Sequence, residues 1–448
     1  MKGQSPDPNQ SSLWSQMLKD QLNPKHPLSL LAEKMPWDDI EKELSRFYSR
    51  RGQPAKPIRL MVSLLILKQL YNLSDESVVA RWVENPYYQF FSGETVFQWK
   101  YPVHPTDLVH FRKRIGKKGV EKILQVSIEL HGRKAKEKEV LIDTTVQEKN
   151  ITFPTDSKLY RKIINHCVDI AGKEDITLRQ SYKRTVKQLL RDLRFMHHPR
   201  NRKKARAAIR KLRTIAGRLI RELDRKLSPE QWNRYAEQFE LFTKIINQKK
   251  NDKNKIYSLH EPHTYCISKG KEHKKYEFGA KASLVLTKNS GIIVGACSHD
   301  KNQYDGHTLP EVIEQTSRLV GRAPEVGICD RGYRGTSQVG ETRIVIPKPP
   351  GKRTTPYQKQ KARKRFRRRA GIEPVIGHLK TDYRLARNFL RGSIGDSLNV
   401  MLAAAAFNFN KLMKELSSFL LNLKTDFLFH LERLILSFQS LNTSFTNC

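Results

Sequence analysis

Leu141-Ile142-Asp143-Thr144-Thr145-Val146-Gln147 is the stretch on which the reading of this chain turns. Glu139 to Thr145 reads as a short buried strand, its apolar run Val140-Leu141-Ile142 ending on the carboxylate of Asp143. A charge at the end of a buried strand is costly unless something meets it there. Two further acids stand in comparable settings: Asp330 closes Val326-Gly327-Ile328-Cys329, and Glu373 lies in the basic run from Arg368 to Lys380. Metal-dependent in-line displacement at phosphorus needs converging carboxylates to hold its cations, and these three are the candidates.

Composition narrows the partner. Lysine and arginine total 83 against 45 aspartates and glutamates, a formal net charge of +38 spread over most of the 448 residues. That excess implies a polyanion, most often nucleic acid. The length allows two or three domains with real cores, more folded chain than a purely electrostatic binder needs. The cysteines form no CxxC pair, which reads as a reduced, intracellular protein. Met1 to Ser12 lacks the apolar region of a signal peptide, and Lys424, Asp426, Glu432 and Arg433 interrupt the leucine-rich stretch Phe419 to Phe438, so no membrane span is expected.

Residues 1–26 are polar and read as a disordered segment. From Pro27 to about residue 135 the pattern is helical: Trp37 to Tyr48, an apolar helix from Ile58 to Tyr71, a helix capped by Ser74, and another beginning near Thr106-Asp107 and stopped at Gly116. Consecutive short helices resemble a helix-turn-helix arrangement, giving an all-α DNA-binding domain over 27–135. Beyond it, Tyr276 to Leu286, Gly291 to Ser298, Glu325 to Asp330 and Thr342 to Ile346 read as further strands, with Leu309 to Leu319 a helix and a hairpin turn at Gly291. Strands with interspersed helices argue for an α/β core over 136–416. A basic insertion over 177–250 interrupts it as an antiparallel helical pair, built on Val186, Leu189, Leu190 and Leu193 and on the stripe from Ile209 to Leu227. Its bases, Arg202, Lys203, Lys204 and Arg206 among them, are candidates for DNA phosphate. Residues 417–448 read as a C-terminal helical tail. His260, His263 and Cys266 have ligand-like spacing, but a fourth partner is missing and Thr264 to Ser268 reads as a strand, so zinc is not expected.

A strand-borne aspartate, a second on a neighbouring strand and a third acid on a following helix form the constellation of RNase H-like nucleotidyl transferases. The surrounding words strengthen it. Leu141 to Gln147, then Cys329-Asp330-Arg331-Gly332-Tyr333-Arg334-Gly335, then Arg369, Glu373 and Lys380 resemble the DDE transposases of bacterial insertion sequences, in the group named after insertion sequence five. The last cluster resembles that superfamily's Tyr-x2-Arg-x3-Glu-x6-Lys pattern, with Phe366 in place of the tyrosine. Tyr304-Asp305-Gly306-His307-Thr308 and Asp382-Tyr383-Arg384-Leu385 are also typical of the group.

The resemblance implies an RNase H-like α/β catalytic domain with Asp143, Asp330 and Glu373 as catalytic residues binding Mg²⁺, with Mn²⁺ as a substitute. It implies cutting at the element's terminal inverted repeats and joining of the 3′-hydroxyl to target DNA, by a homodimer or higher synaptic complex in the bacterial cytoplasm, on the nucleoid. Arg369 and Lys380 would position backbone phosphate, the first bidentately and the second as a point charge. Between Lys348 and Arg369 the chain carries only basic charges, Arg363, Lys364 and Arg365 among them, and this run is expected to follow DNA into the site. The alternative is a non-catalytic repressor or architectural protein derived from such an enzyme. Pro374 leaves two arrangements open: it starts a helix and leaves Arg369 on a preceding segment, or it kinks one continuous helix.

Overall fold

Val140, Leu141 and Ile142 lie in the strand β1 (Glu139–Lys149), central to a mixed sheet. The computed structural model describes residues 16–49, 51–249, 251–268, 275–347 and 354–445, with side chains as far as Ser418. The other strands are β2 (Tyr265–Ser268), β3 (Tyr276–Thr287), β4 (Ile293–His299), β5 (Val326–Ile328), β6 (Gln338–Val339), β7 (Thr342–Val345) and β8 (Arg387–Asn388). In space the order is β4-β3-β1-β5-β7-β6, with β8 beside β1. β3 and β4 form an antiparallel hairpin whose turn uses Gly291 at φ 64°, a left-handed conformation that favours glycine. β1 and β5 are parallel, as are β5 and β7.

The parallel register matters most for the site. Leu141 pairs with Ile328, so the residues two steps further along each strand direction are Asp143 and Asp330. Both acids therefore lie side by side just past the paired stretch, Asp330 beyond the carboxyl end of β5, where α/β proteins gather ligand-binding groups, and Asp143 part-way along β1.

The described residues fold as two compact units, those of 1–147 with 281–299 and 303–448, and those of 148–280 with 300–302. In the first, the N-terminal helices and the sheet share one hydrophobic core, from Leu28 and Leu64 through Leu141 and Ile328 to Phe409. Packing does not reproduce the boundary expected near residue 135. The helix Ile58–Leu70 is apolar on every side and buried along most of its length, so it cannot lie across a DNA groove. The helix Pro105–Glu129 does not stop at Gly116; it bends there, at φ 54°, and resumes. Of the segment expected to be disordered, residues 1–15 lie outside the described residues, whereas Leu18 heads a short helix and is buried. The helix Gly392–Phe445 passes through position 417 without a break. Among the described residues no helix is long and apolar enough to cross a membrane.

The second unit corrects the reading of the insertion. Four helices, Asp156–Lys173, Lys183–Asp192, Arg202–Lys226 and Pro229–Asn247, replace the expected pair. They enclose their own core of Leu159, Ile163, Leu212, Leu219 and Phe242. Two helices are too few to bury the apolar stripe of Arg202–Lys226, and the missing walls come from either side in sequence. Their signals are local: Thr155 caps the Lys158 N–H, and Ser228 with Gln231 forms a capping box ahead of Pro229. Thr264 and the strand β2 follow, pairing with the start of β3.

Candidate active site

Each acid is placed by a different element, and one guanidinium joins them. Asp143 is on β1, Asp330 follows β5, and Glu373 is in the first turn of the helix Ile372–Thr381, where the positive end of the helix dipole favours an acid. Pro374 falls in that first turn, where its missing N–H removes no helical hydrogen bond. Arg369 accordingly ends the preceding helix, Pro356–Arg369, and Ala370 and Gly371 make the corner between the two.

Arg369 Nη2 donates to Asp143 Oδ2 at 2.8 Å and lies 3.6 Å from Asp330 Oδ2, while Nη1 lies 3.6 Å from Glu373 Oε1. The aspartates are held alike. Asp143 Oδ1 accepts the Thr144 N–H at 2.8 Å, and Asp330 Oδ1 accepts the Gly332 N–H at 2.8 Å. In both, one oxygen is fixed by backbone and the other faces the shared cation. Gly332 is required for this approach, because a Cβ there would stand 2.9 Å from Asp330 Oδ1 and 3.3 Å from Asp305 Oδ2.

The floor is apolar. Cys329 and Tyr333 are fully buried, and burial pushes both acid groups up, reinforced at Cys329 by Asp330 and Asp143 and at Tyr333 by Asp143. As the chain lies, no three His, Cys, Asp or Glu side chains among the described residues are grouped to hold an ion, and the charge the acids share is that of Arg369. Their chemistry nonetheless suits a hard divalent cation: three carboxylates each place an oxygen within 3.6 Å of one guanidinium, and two of them are fixed from behind by backbone N–H groups.

The basic helix Pro356–Arg369 borders the site. Arg363 and Lys364 are exposed, whereas Arg365 is half-buried and pairs with Glu139 at 2.9 Å. Lys288 at the β3–β4 turn takes the other Glu139 oxygen at 2.6 Å, and Arg368 donates to the carbonyls of Lys288 and Asn289. Partial burial of Glu139 opposes its ionisation, but the hydrogen bond from Lys288 and the charges of Arg365 and Lys288 outweigh it and hold the carboxyl below its usual range. A cavity of about 840 Å³ opens between that turn and the helix, lined by Lys288, Tyr357, Lys361, Lys364 and Arg367. Lys352, Arg353 and Lys348 of the basic run lie outside the described residues. Lys380 is half-buried on the helix of Glu373, two turns on. Phe366 packs against the main core. In the second unit Arg202, Lys203, Lys204 and Arg206 are all exposed at the start of their helix, with Lys204 paired to Asp192 at 2.9 Å. His260 bonds Ser258 and Cys266 lies in β2. Sequence reading assigns Asp305 and Lys281 no place here, although Tyr304 to Thr308 stands out as a family phrase; the two join at 2.9 Å beside Thr144.

Two family models match: a transposase domain (DUF772) over residues 16–114 and a transposase DDE domain over residues 252–409. The chain belongs to the DDE transposases of insertion-sequence type. Asp330, Arg369, Glu373 and Lys380 lie within the second match, and Asp143 lies in the interval between the two. The transposase is also similar to a curated protein of Rhizobium meliloti, described as uncharacterized protein ORF8 in nfe locus: 41% identity over 203 residues, covering 44% of this chain and 98% of that protein. No solved structure matches it. The DDE domain implies the RNase H-like α/β fold, in keeping with the mixed sheet, and its family generally uses divalent metals to act on DNA.

Proposed function

We propose that this transposase, of the insertion-sequence-five group, cuts DNA at the ends of its element and joins the freed 3′-hydroxyl to target DNA, with Asp143, Asp330 and Glu373 holding Mg²⁺, or Mn²⁺ in its place. The observation that carries this reading is the single guanidinium shared by three carboxylates from three elements. Like charges converge at a cost unless positive charge lies among them, so three acids gathered in a chain of net charge +38 support a site built around cations. Divalent cations held there would stabilise charge at the attacking and leaving oxygens and lower the pKa of the nucleophile.

The residues of the chain supply the rest. Backbone N–H groups of Thr144 and Gly332 fix the aspartates, so little reorganisation accompanies reaction. Arg369 must leave the acids before a cation can take its place, and incoming backbone phosphate is the partner that would draw it off; Lys380 supports the same strand. Arg363, Lys364 and Arg365 line the approach. Four bases open the helix Arg202–Lys226 with no acid in its first turn, against the helix dipole, an arrangement that bound phosphate relieves. Two element ends must be processed together, which calls for a homodimer or larger complex on the DNA of the nucleoid.

The test is strand cleavage and joining on oligonucleotides carrying the element's terminal repeats, with Mg²⁺ or EDTA. Cleavage by the wild type in Mg²⁺ alone, lost in Asp143→Asn, is expected. Equal cleavage in EDTA, or by the variant, would sink the assignment.

A further inference from the structure

The acids are held from behind, and Asp305 holds what holds them. Thr144 donates its backbone N–H to Asp143 Oδ1 at 2.8 Å and its hydroxyl to Asp305 Oδ1 at 3.0 Å. The same Asp305 oxygen takes Lys281 Nζ at 2.9 Å, and that nearly buried ammonium also donates to the Gln303 carbonyl at 2.6 Å. The other oxygen of Asp305 faces Gly332, the residue whose N–H fixes Asp330 Oδ1. The loop of Asp305 is itself tied down. Thr308 donates its hydroxyl to the Asp305 carbonyl at 2.7 Å, and the Tyr304 hydroxyl donates to the Arg334 carbonyl at 2.9 Å, beyond Gly332.

We propose that Asp305 is a positioning residue of the acid site, acting through the Thr144 hydroxyl on Asp143 and across Gly332 on Asp330. The inference rests on the reading of Asp143, Asp330 and Glu373 as cation ligands. Asp305 is not a fourth ligand in this assignment, because one oxygen is committed to Thr144 and Lys281 and the other packs on backbone. Lys281 balances its charge, so it orients the aspartates without adding a free negative charge beside them. Partners of this kind typically change metal affinity by about 10- to 100-fold when removed.

The full-length protein without DNA is titrated with Mn²⁺ and free ion is followed by electron paramagnetic resonance, for the wild type, Asp143→Asn, Asp305→Asn, Thr144→Val and Thr144→Ser. Asp305→Asn and Thr144→Val are each expected to weaken Mn²⁺ binding about tenfold. The double variant Asp305→Asn/Thr144→Val should bind no more weakly than Asp305→Asn alone, since loss of Asp305 already breaks the linkage through Thr144. Thr144→Ser, which keeps the hydroxyl, should bind as the wild type does. Because Asp305→Asn strands the Lys281 ammonium and can unfold the protein, the Thr144 pair decides the outcome, with melting in EDTA as the folding control. Wild-type affinity in Thr144→Val, while Asp143→Asn has lost the ion, overturns the positioning role and leaves the three-acid reading standing. Unchanged binding in Asp143→Asn overturns both.

Discussion

The guanidinium of Arg369 donates to Asp143 Oδ2 at 2.8 Å, tying the end of the basic helix Pro356–Arg369 to the central strand of the sheet. The residue expected to meet DNA phosphate thus sits on the residue expected to hold metal. A cation at a helix C-terminus is favourable in its own right, and here it also offsets the mutual repulsion of three acids. Phosphate and divalent ion would compete with this one contact from its two sides.

Asp143→Asn, Asp330→Asn and Glu373→Gln should each lower cleavage at the element ends by more than about 100-fold while leaving end binding nearly intact, because each removes one anionic ligand without changing shape. Gel cleavage and mobility-shift assays on the same preparations check this. A variant that retained wild-type cleavage would lose its place among the three.

Arg369→Gln should lower stability in EDTA by about 1.5 to 3 kcal/mol, the range for hydrogen bonds to charged groups. It should also increase the rise in melting temperature produced by Mn²⁺, since the internal competitor for the carboxylates is gone. Cleavage should fall nonetheless, for want of the phosphate contact. Calorimetric melting with and without Mn²⁺ decides; an unchanged Mn²⁺ response would show that Arg369 does not compete with the ion.

Glu139 couples the basic helix to β1 and to the β3–β4 turn, and its folded-state pKa lies below the usual value of 4.5. A depressed carboxyl stabilises fully above its unfolded pKa and loses that contribution as pH falls through the folded value. Glu139→Gln should therefore cost about 0.5 to 1 kcal/mol at neutral pH, as partly exposed ion pairs do. The gap between variant and wild type should close below about pH 4.5 in denaturant titrations across pH.

Neutralising Arg202, Lys203, Lys204 and Arg206 should weaken DNA binding at every sequence and flatten its salt dependence, by about 0.9 in log-log slope for each phosphate no longer neutralised. Lys204 is engaged with Asp192, so it should contribute least. Binding isotherms between low and moderate salt provide the measurement, and an unchanged slope would assign these helices to packing or assembly.

Phe366 packs on the core, which favours a packing role over a catalytic one. Phe366→Tyr should leave the cleavage rate unchanged and, if its hydroxyl finds no partner, lower stability by about 1 to 3 kcal/mol. A faster enzyme of unchanged melting temperature would instead return the position to the chemistry.

Much of this site can be read in the chain because its signals are local. An apolar run leading into Asp143, another closing on Asp330, and a Pro after Glu373 report two strands and a helix start through periodicity and missing donors alone, although β1 runs on past Asp143 to Lys149. The four-helix second unit is also written locally, in the caps at Thr155 and Ser228, although periodicity alone brings out only its two most regular stripes. Other features depend on contacts between distant segments and have no local signature. The helix Ile58–Leu70 reads as a helix, but its burial on all sides follows from a core shared with the sheet.

The residues and elements were therefore determined by the sequence, and their meeting was decided by the tertiary structure. Parallel pairing of β1 with β5 sets Asp143 beside Asp330, and the corner at Ala370 and Gly371 turns Arg369 back onto both. The linkage of Asp305 to Thr144 spans 161 positions, a distance at which hydrogen-bonding partners are chosen by the packing of the sheet and not by spacing along the chain.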